Sequence, residues 1–284
     1  MRIVLVIALL VFGLQAKSLF SNKEQESNAK YLNELKNLVI ATQKTRGLTN
    51  SYMNGNKSAL LLIHANKRDM KKAIGTMESL PLASHPTIGV SANNIAQALT
   101  KLGNVAFDQK ASQTFKDYTG QIDQILMLAQ SISKQGSKEL NPFGKEASAI
   151  MMEVILPLAE QVGKMRGMGS GIVAKKSITD TQKFAMTSML SEISSLEARL
   201  QADMRNALSK NKDLYGSSIK RDLSNLSKAI TEYVALTNKK VLGNVKTDCV
   251  ATDYFNYGTD IISTLVKIFN SNNKAIMADS KGWI

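Results

Sequence analysis

Cysteine and histidine are almost missing from this chain, with one Cys (Cys249) and two His (His64 and His85) in 284 residues. A lone cysteine excludes an intramolecular disulfide, and a buried free thiol is the expected state. Two separated histidines do not make a zinc site, and neither sits in a nucleophile motif. Proline is equally scarce, with four residues, and aromatics make up 6%. That composition argues against a β-sandwich with its many tight turns. Acidic residues are outnumbered, 23 against 36 Lys and Arg, for a formal net charge of +13. Such a balance is common in nucleic-acid binders. Here the lysines are scattered, apart from KRDMKK at 67–72, a run that reads as a solvated helix face. Beyond the first residues no apolar run approaches the roughly 20 residues needed to cross a bilayer.

The first residues are the exception. MRIVLVIALLVFGLQAKS carries Arg2, then an apolar stretch from Ile3 to Leu14, then the small residue Ala16. Charged start, short apolar core and small residue form the pattern of a signal peptide over residues 1–16. It implies export to the periplasm or beyond, which also makes a nucleic-acid partner unexpected.

The remainder, 17–284, reads as one all-α unit. Helical periodicity runs through 30–53, 91–107, 113–134, 146–174, 181–210, 217–240 and 252–274. Loops are expected at LPLASHPT (80–87) and KQGSKELNPFG (134–144), with Ser91, Asp180 and Asp253 as helix N-caps. No strand-like alternation competes.

The chain also repeats itself. KTRGLTNSYM (44–53) aligns with KMRGMGSGIV (164–173), sharing Lys-x-Arg-Gly. FKDYTGQIDQIL (115–126) aligns with FNYGTDIISTLV (255–266), sharing Phe, Thr and Ile at equal spacing. The order is the same in both halves, about 30–135 and 146–272, so a long-helix bundle built from two pseudo-repeated halves is expected.

On one face of the first repeated helix stand Leu32, Leu35, Val39, Thr42, Arg46, Thr49 and Met53. The equivalent face of the second carries Met152, Ile155, Ala159, Val162, Arg166, Gly169 and Val173. Each apolar stripe is interrupted by an arginine at the same place. Neither arginine has an acid within four residues on its own helix, and burying an unpaired guanidinium is unfavourable by several kcal/mol, about 3–5 when a partner is removed. Two explanations stand side by side. Either an acid from another helix, such as Asp117, Asp123 or Glu197, neutralises Arg46, or the two arginines converge on a small anion. For the second, Thr42, Thr49 and Ser170 supply hydroxyl donors, while Gly47 and Gly167 allow close backbone approach. GMGSG (167–171) follows no predicted strand and does not match a dinucleotide loop, and GSGIVAKK (169–176) is not a P-loop. No cluster of acid, base and nucleophile appears, so no catalytic residue, metal or cofactor is assigned.

These residues resemble a known family. LVIATQKTRGLTNSYMNG (38–55) resembles the first signature of the nitrate- and nitrite-sensing (NIT) domain, roughly Gln-x-x-Arg-Gly-Leu-Ser/Thr. LAEQVGKMRGMGSGIVA (158–174) resembles its second arginine-bearing helix, and DYFNYGTDIISTLVKI (253–268) its terminal helix. The resemblance covers about residues 30–272. It implies an all-helical sensor that binds nitrate or nitrite through arginines on separate helices, with Arg46 and Arg166 in that role. The family commonly has an acid before the first arginine, where this chain has Thr45; Arg199 and Arg205 are the remaining candidates for further ligand arginines. Together with the leader, the resemblance implies a periplasmic oxyanion sensor that signals through a separate membrane partner, a sensor kinase or chemoreceptor, with a homodimer compatible. The competing reading is a cationic helical structural or interaction protein of the cell envelope.

Overall fold

The computed structural model describes the backbone of residues 2–243 and 249–281, and the side chains of 25–138, 140–243 and 249–279. The expected leader, 1–16, lies outside the residues whose side chains are described. Among the described residues the chain is all helix, without a strand. The helices are α1 (Arg2–Met53), α2 (Ala59–Glu78), α3 (Pro86–Val105), α4 (Ala111–Gly136), α5 (Pro142–Ala149), α6 (Leu156–Lys175), α7 (Asp180–Lys210), α8 (Ile219–Thr237) and α9 (Ala251–Lys281). A π-helical segment, Ile150–Ile155, joins α5 to α6, and a second, Asn238–Gly243, follows α8.

Helix ends follow local chemistry. Pro86 and Pro142 open α3 and α5, where a missing N–H does no harm. Asn141 caps α5 by accepting from the Gly144 N–H at 2.8 Å. α7 starts with a capping box between Thr179 and Gln182, one residue before the expected cap Asp180. The expected cap Ser91 lies inside α3, whose N-cap is His85, and Asp253 lies in the first turn of α9. The expected loop at 80–87 holds a 3-10 turn, Pro81–Ser84, and α4 runs three residues into the other, to Gly136. α2 went unpredicted as an element. Its buried side is Ala59, Ile63, Asn66, Met70, Ala73 and Met77, a 3–4 spacing in which a polar Asn66 breaks the apolar signal. KRDMKK lies on its outer side, apart from buried Met70.

The fold is arranged around two helices. α1 packs on α2, α4 and α6, and α6 packs on α1, α7 and α9. α6 is buried on almost every side, from Leu158 and Ala159 to Ile172 and Val173, which is why its apolar pattern lacks a clear polar face. α1 and α6 cross at Gly47 and Gly167. A Cβ built on Gly47 would lie 3.1 Å from the Gly167 Cα, and one on Gly167 would lie 3.0 Å from the Gly47 Cα. Such an approach is open only to glycine. The packing partners repeat as the sequence does: α1 pairs with α4, and α6 with α9. Cys249 is part-buried rather than fully buried as expected.

Candidate functional site

Both stripe arginines end in the core. Arg46 and Arg166 are the largest fully buried side chains among the described residues, 0% and 1% exposed. Each is held the same way. Arg46 Nη1 donates to Thr119 Oγ1 at 2.9 Å and the guanidinium lies over the Phe115 ring, 4.9 Å from its centroid. Arg166 Nη1 donates to Thr259 Oγ1 at 3.0 Å and lies over the Phe255 ring at 4.5 Å. Each threonine hydroxyl in turn donates to the carbonyl one turn back, Phe115 O at 2.8 Å and Phe255 O at 2.9 Å. The two Lys-x-Arg-Gly helices and the two Phe-x-x-x-Thr helices therefore build the same half-site twice. The rings also close the crossing: the Phe255 edge faces Gly47, and the Phe115 edge faces Gly167.

The halves differ in charge. Glu160, on α6 and 3% exposed, clamps Arg46 from both sides. Arg46 Nη1 reaches Oε1 at 2.6 Å and Nη2 reaches Oε2 at 3.2 Å. Gln43 Nε2 adds a bond to Oε2 at 2.7 Å, and Lys164 Nζ stands 3.7 Å from Oε1. The carboxylate that neutralises Arg46 is thus neither Asp117, Asp123 nor Glu197. It comes from the second arginine's own helix, beyond the four-residue reach of the sequence reading.

Arg166 pairs with no carboxylate among the described residues, and its Nε and Nη2 have no hydrogen-bond partner. Burial pulls its pKa down to about 10; Tyr233 and Glu160 oppose that shift and Arg46 adds to it. A cation–π contact in a dry site is worth ~2 kcal/mol, which does not offset the several kcal/mol of desolvation for a buried ion. Arg166 is a cation whose charge is unbalanced at its own position.

The surroundings offer neutral donors. Thr42 and Thr49, on the α1 stripe, are buried with hydroxyls that have no partner. Ser170 is buried too, but its hydroxyl is spent on Gly167 O at 3.2 Å. On the face of α9 turned to Arg166, a Cβ on Gly258 would meet Arg166 Cβ at 2.9 Å and the Tyr233 hydroxyl at 3.0 Å. Burial raises the Tyr233 pKa well above 10, so the hydroxyl keeps its proton. Gly47 and Gly167 serve the crossing itself. Thr45 faces away from this centre and accepts from buried Asn66 at 2.7 Å. Arg199 and Arg205 are exposed, Arg199 paired with Glu153 at 3.2 Å and Asp203 at 3.4 Å.

Sequence reasoning found both arginines and missed Glu160, Gln43 and Tyr233. It saw Phe115, Thr119, Phe255 and Thr259 only as marks of a repeat. Glu160 had a readable signal: it is the one acid on a helix that also carries Lys164, Arg166 and Lys175, and at the offset of 120 that joins Arg46 to Arg166 it aligns with Ile40.

Comparison with known proteins agrees with this architecture. A family model described as "Nitrate and nitrite sensing" matches residues 37–268. A solved structure titled "Structure of the NasR transcription antiterminator" superposes with a TM-score of 0.71 at 11% sequence identity, over 97% of this chain and 75% of that one. At that identity the likeness is one of fold. No curated protein matches the sequence significantly.

Proposed function

This chain belongs to the nitrate- and nitrite-sensing family, and from that premise we propose that it binds nitrate or nitrite in the buried centre around Arg166. The observation that carries the reading is a fully buried guanidinium whose Nε and Nη2 have no partner and which no carboxylate among the described residues pairs with. A small anion accepting from Nε and Nη2 would balance the charge and satisfy both donors. A planar guanidinium edge suits a flat ion with two adjacent oxygens. Thr42 and Thr49, on the stripe of Arg46, are the hydroxyl donors with no partner, Ser170 keeps its proton on Gly167 O, Gly47 and Gly167 shape the centre, and Arg46 enters it already paired with Glu160.

Nitrate has four heavy atoms, and a ceiling of roughly −1.5 kcal/mol per atom sets a limit near about −6 kcal/mol. That corresponds to a Kd on the order of tens of micromolar. The leader pattern places the protein outside the cytoplasm in this reading, where it reports occupancy to a membrane sensor kinase or chemoreceptor. Among the described residues no helix is long and apolar enough to cross a membrane, which fits a separate membrane partner.

A thermal-shift titration against nitrate, nitrite, chloride and sulfate at constant ionic strength tests the proposal. Ligand at 100 times Kd adds about 2.7 kcal/mol of stability. The expected result is a saturable rise with nitrate or nitrite that disappears in Arg166→Met. Equal responses to every anion, unaffected by Arg166→Met, would instead favour a cationic envelope protein without a specific ligand.

A further inference from the structure

The two half-sites share an arginine, a threonine and a phenylalanine, and one of them also contains a carboxylate. A carboxylate is flat, carries one negative charge and presents two oxygens to a guanidinium, as nitrite and nitrate do. Glu160 meets Arg46 in that two-point manner, Nη1 to Oε1 and Nη2 to Oε2. Gln43 donates a further bond to Oε2.

We propose that Glu160 is a built-in anion: it fills one of two pseudo-equivalent guanidinium seats and so limits the protein to one external anion, taken at Arg166. The inference rests on the anion-binding reading for the second seat, while the first is argued from the contacts of Glu160 alone. Its physical basis is charge. Two buried guanidinium groups close enough to feel each other call for two negative charges. The chain supplies one of them covalently, so the deficit left for a ligand is a single charge. Glu160 thereby becomes a specificity-determining residue, matching the centre to a monovalent ion.

The duplication supplies the reciprocal construction. Ile40 on α1 is the counterpart of Glu160 on α6, at the offset that relates Arg46 to Arg166. Ile40 is part-buried against the core. A carboxylate placed there would address Arg166 as Glu160 addresses Arg46.

Three proteins decide the question by calorimetry with nitrate and by melting temperature in buffers with and without sodium nitrite or formate. The native chain is expected to bind one nitrate. Glu160→Ala is expected to melt lower, to recover with nitrite or formate but not with sulfate at equal ionic strength, and to bind two nitrates. Ile40→Glu is expected to lose nitrate binding and to melt higher by roughly 2–4 °C or more in anion-poor buffer. A Glu160→Ala protein that still binds one nitrate and gains nothing from small anions would reduce Glu160 to an ordinary structural ion pair. Should that variant fail to fold, Ile40→Glu decides: an unchanged or lower melting temperature overturns the proposal. If the native chain binds no anion while Glu160→Ala binds one, the sensor reading fails and the built-in anion stands.

Discussion

The two arginines share a helix position, an aromatic face and a threonine, yet removing them is expected to change stability in opposite directions. Arg46 is one member of a buried, bidentate pair with Glu160. Removing it strands a carboxylate that is 3% exposed. Arg46→Met is therefore expected to destabilise the fold by about 3–5 kcal/mol, read by urea denaturation. Arg166 has no such partner among the described residues, and its depressed pKa corresponds to a penalty on the order of 3 kcal/mol for keeping the charge inside. In anion-free buffer Arg166→Met is expected to raise stability in the same assay. A loss there equal to that of Arg46→Met would show that Arg166 is balanced by a partner in the native fold. The sequence placed both side chains in the core correctly, because helical spacing alone fixes which face they occupy. It could not rank them, because Glu160 meets Arg46 only after α6 has packed on α1.

At the scale of elements, the crossing of α1 and α6 decides how close the two half-sites come. A Cβ on Gly47 would lie 2.7 Å from the Phe255 ring edge, besides the Gly167 backbone at 3.1 Å. Gly47→Ala is expected to cost about 1–3 kcal/mol through overpacking, and to weaken anion binding as the helices part. Gly75 and Gly120 lie inside α2 and α4 with nothing within 4 Å of a built Cβ. There the alanine variants are expected to stabilise by about 0.5–1 kcal/mol, from helix propensity alone. Differential scanning calorimetry of the three variants separates the effects, and a neutral Gly47→Ala would refute the tight crossing. All three glycines look alike in the sequence. Most helix positions were legible from periodicity, although α2 and the three expected caps were not, whereas the role of each glycine depends on which helix lies opposite.

For the whole molecule, the buried cations and tyrosines set how stability depends on pH. Lys36 ties α1 to α9 through Asn270 Oδ1 at 2.9 Å and the face of Phe269. Burial lowers its pKa from 10.5 to about 8, against a smaller opposing effect of Glu34. The folded state therefore releases this proton earlier than the unfolded chain. The penalty is complete below pH 8 and is relieved as pH rises toward 10.5, so stability increases across that window. Buried Tyr31, Tyr118 and Tyr254 act the other way, since burial raises each to about 12. Above about pH 10 the unfolded chain loses phenolic protons that the folded one keeps, and stability declines. Unfolding free energies between pH 7 and 11 are expected to pass through a maximum near pH 10. Lys36→Met should be more stable at pH 7 and should flatten the rising limb. A wild-type profile that is level from pH 8 to 10 would contradict the assignment.

Some properties of this protein were settled by the order of its residues. Local periodicity made it helical, the Lys-x-Arg-Gly and Phe-x-x-x-Thr recurrences marked two like Arg–Thr–Phe half-sites, and stripe position put Arg46 and Arg166 inside. These are short-range consequences of backbone geometry and burial, and they need no knowledge of what packs on what. The charge balance of the core was decided only in three dimensions. Glu160 stands six residues before Arg166 and neutralises Arg46 instead, because a side chain on one helix face addresses the helix across from it. That contact breaks the likeness of the two half-sites and leaves one buried guanidinium that no carboxylate among the described residues balances.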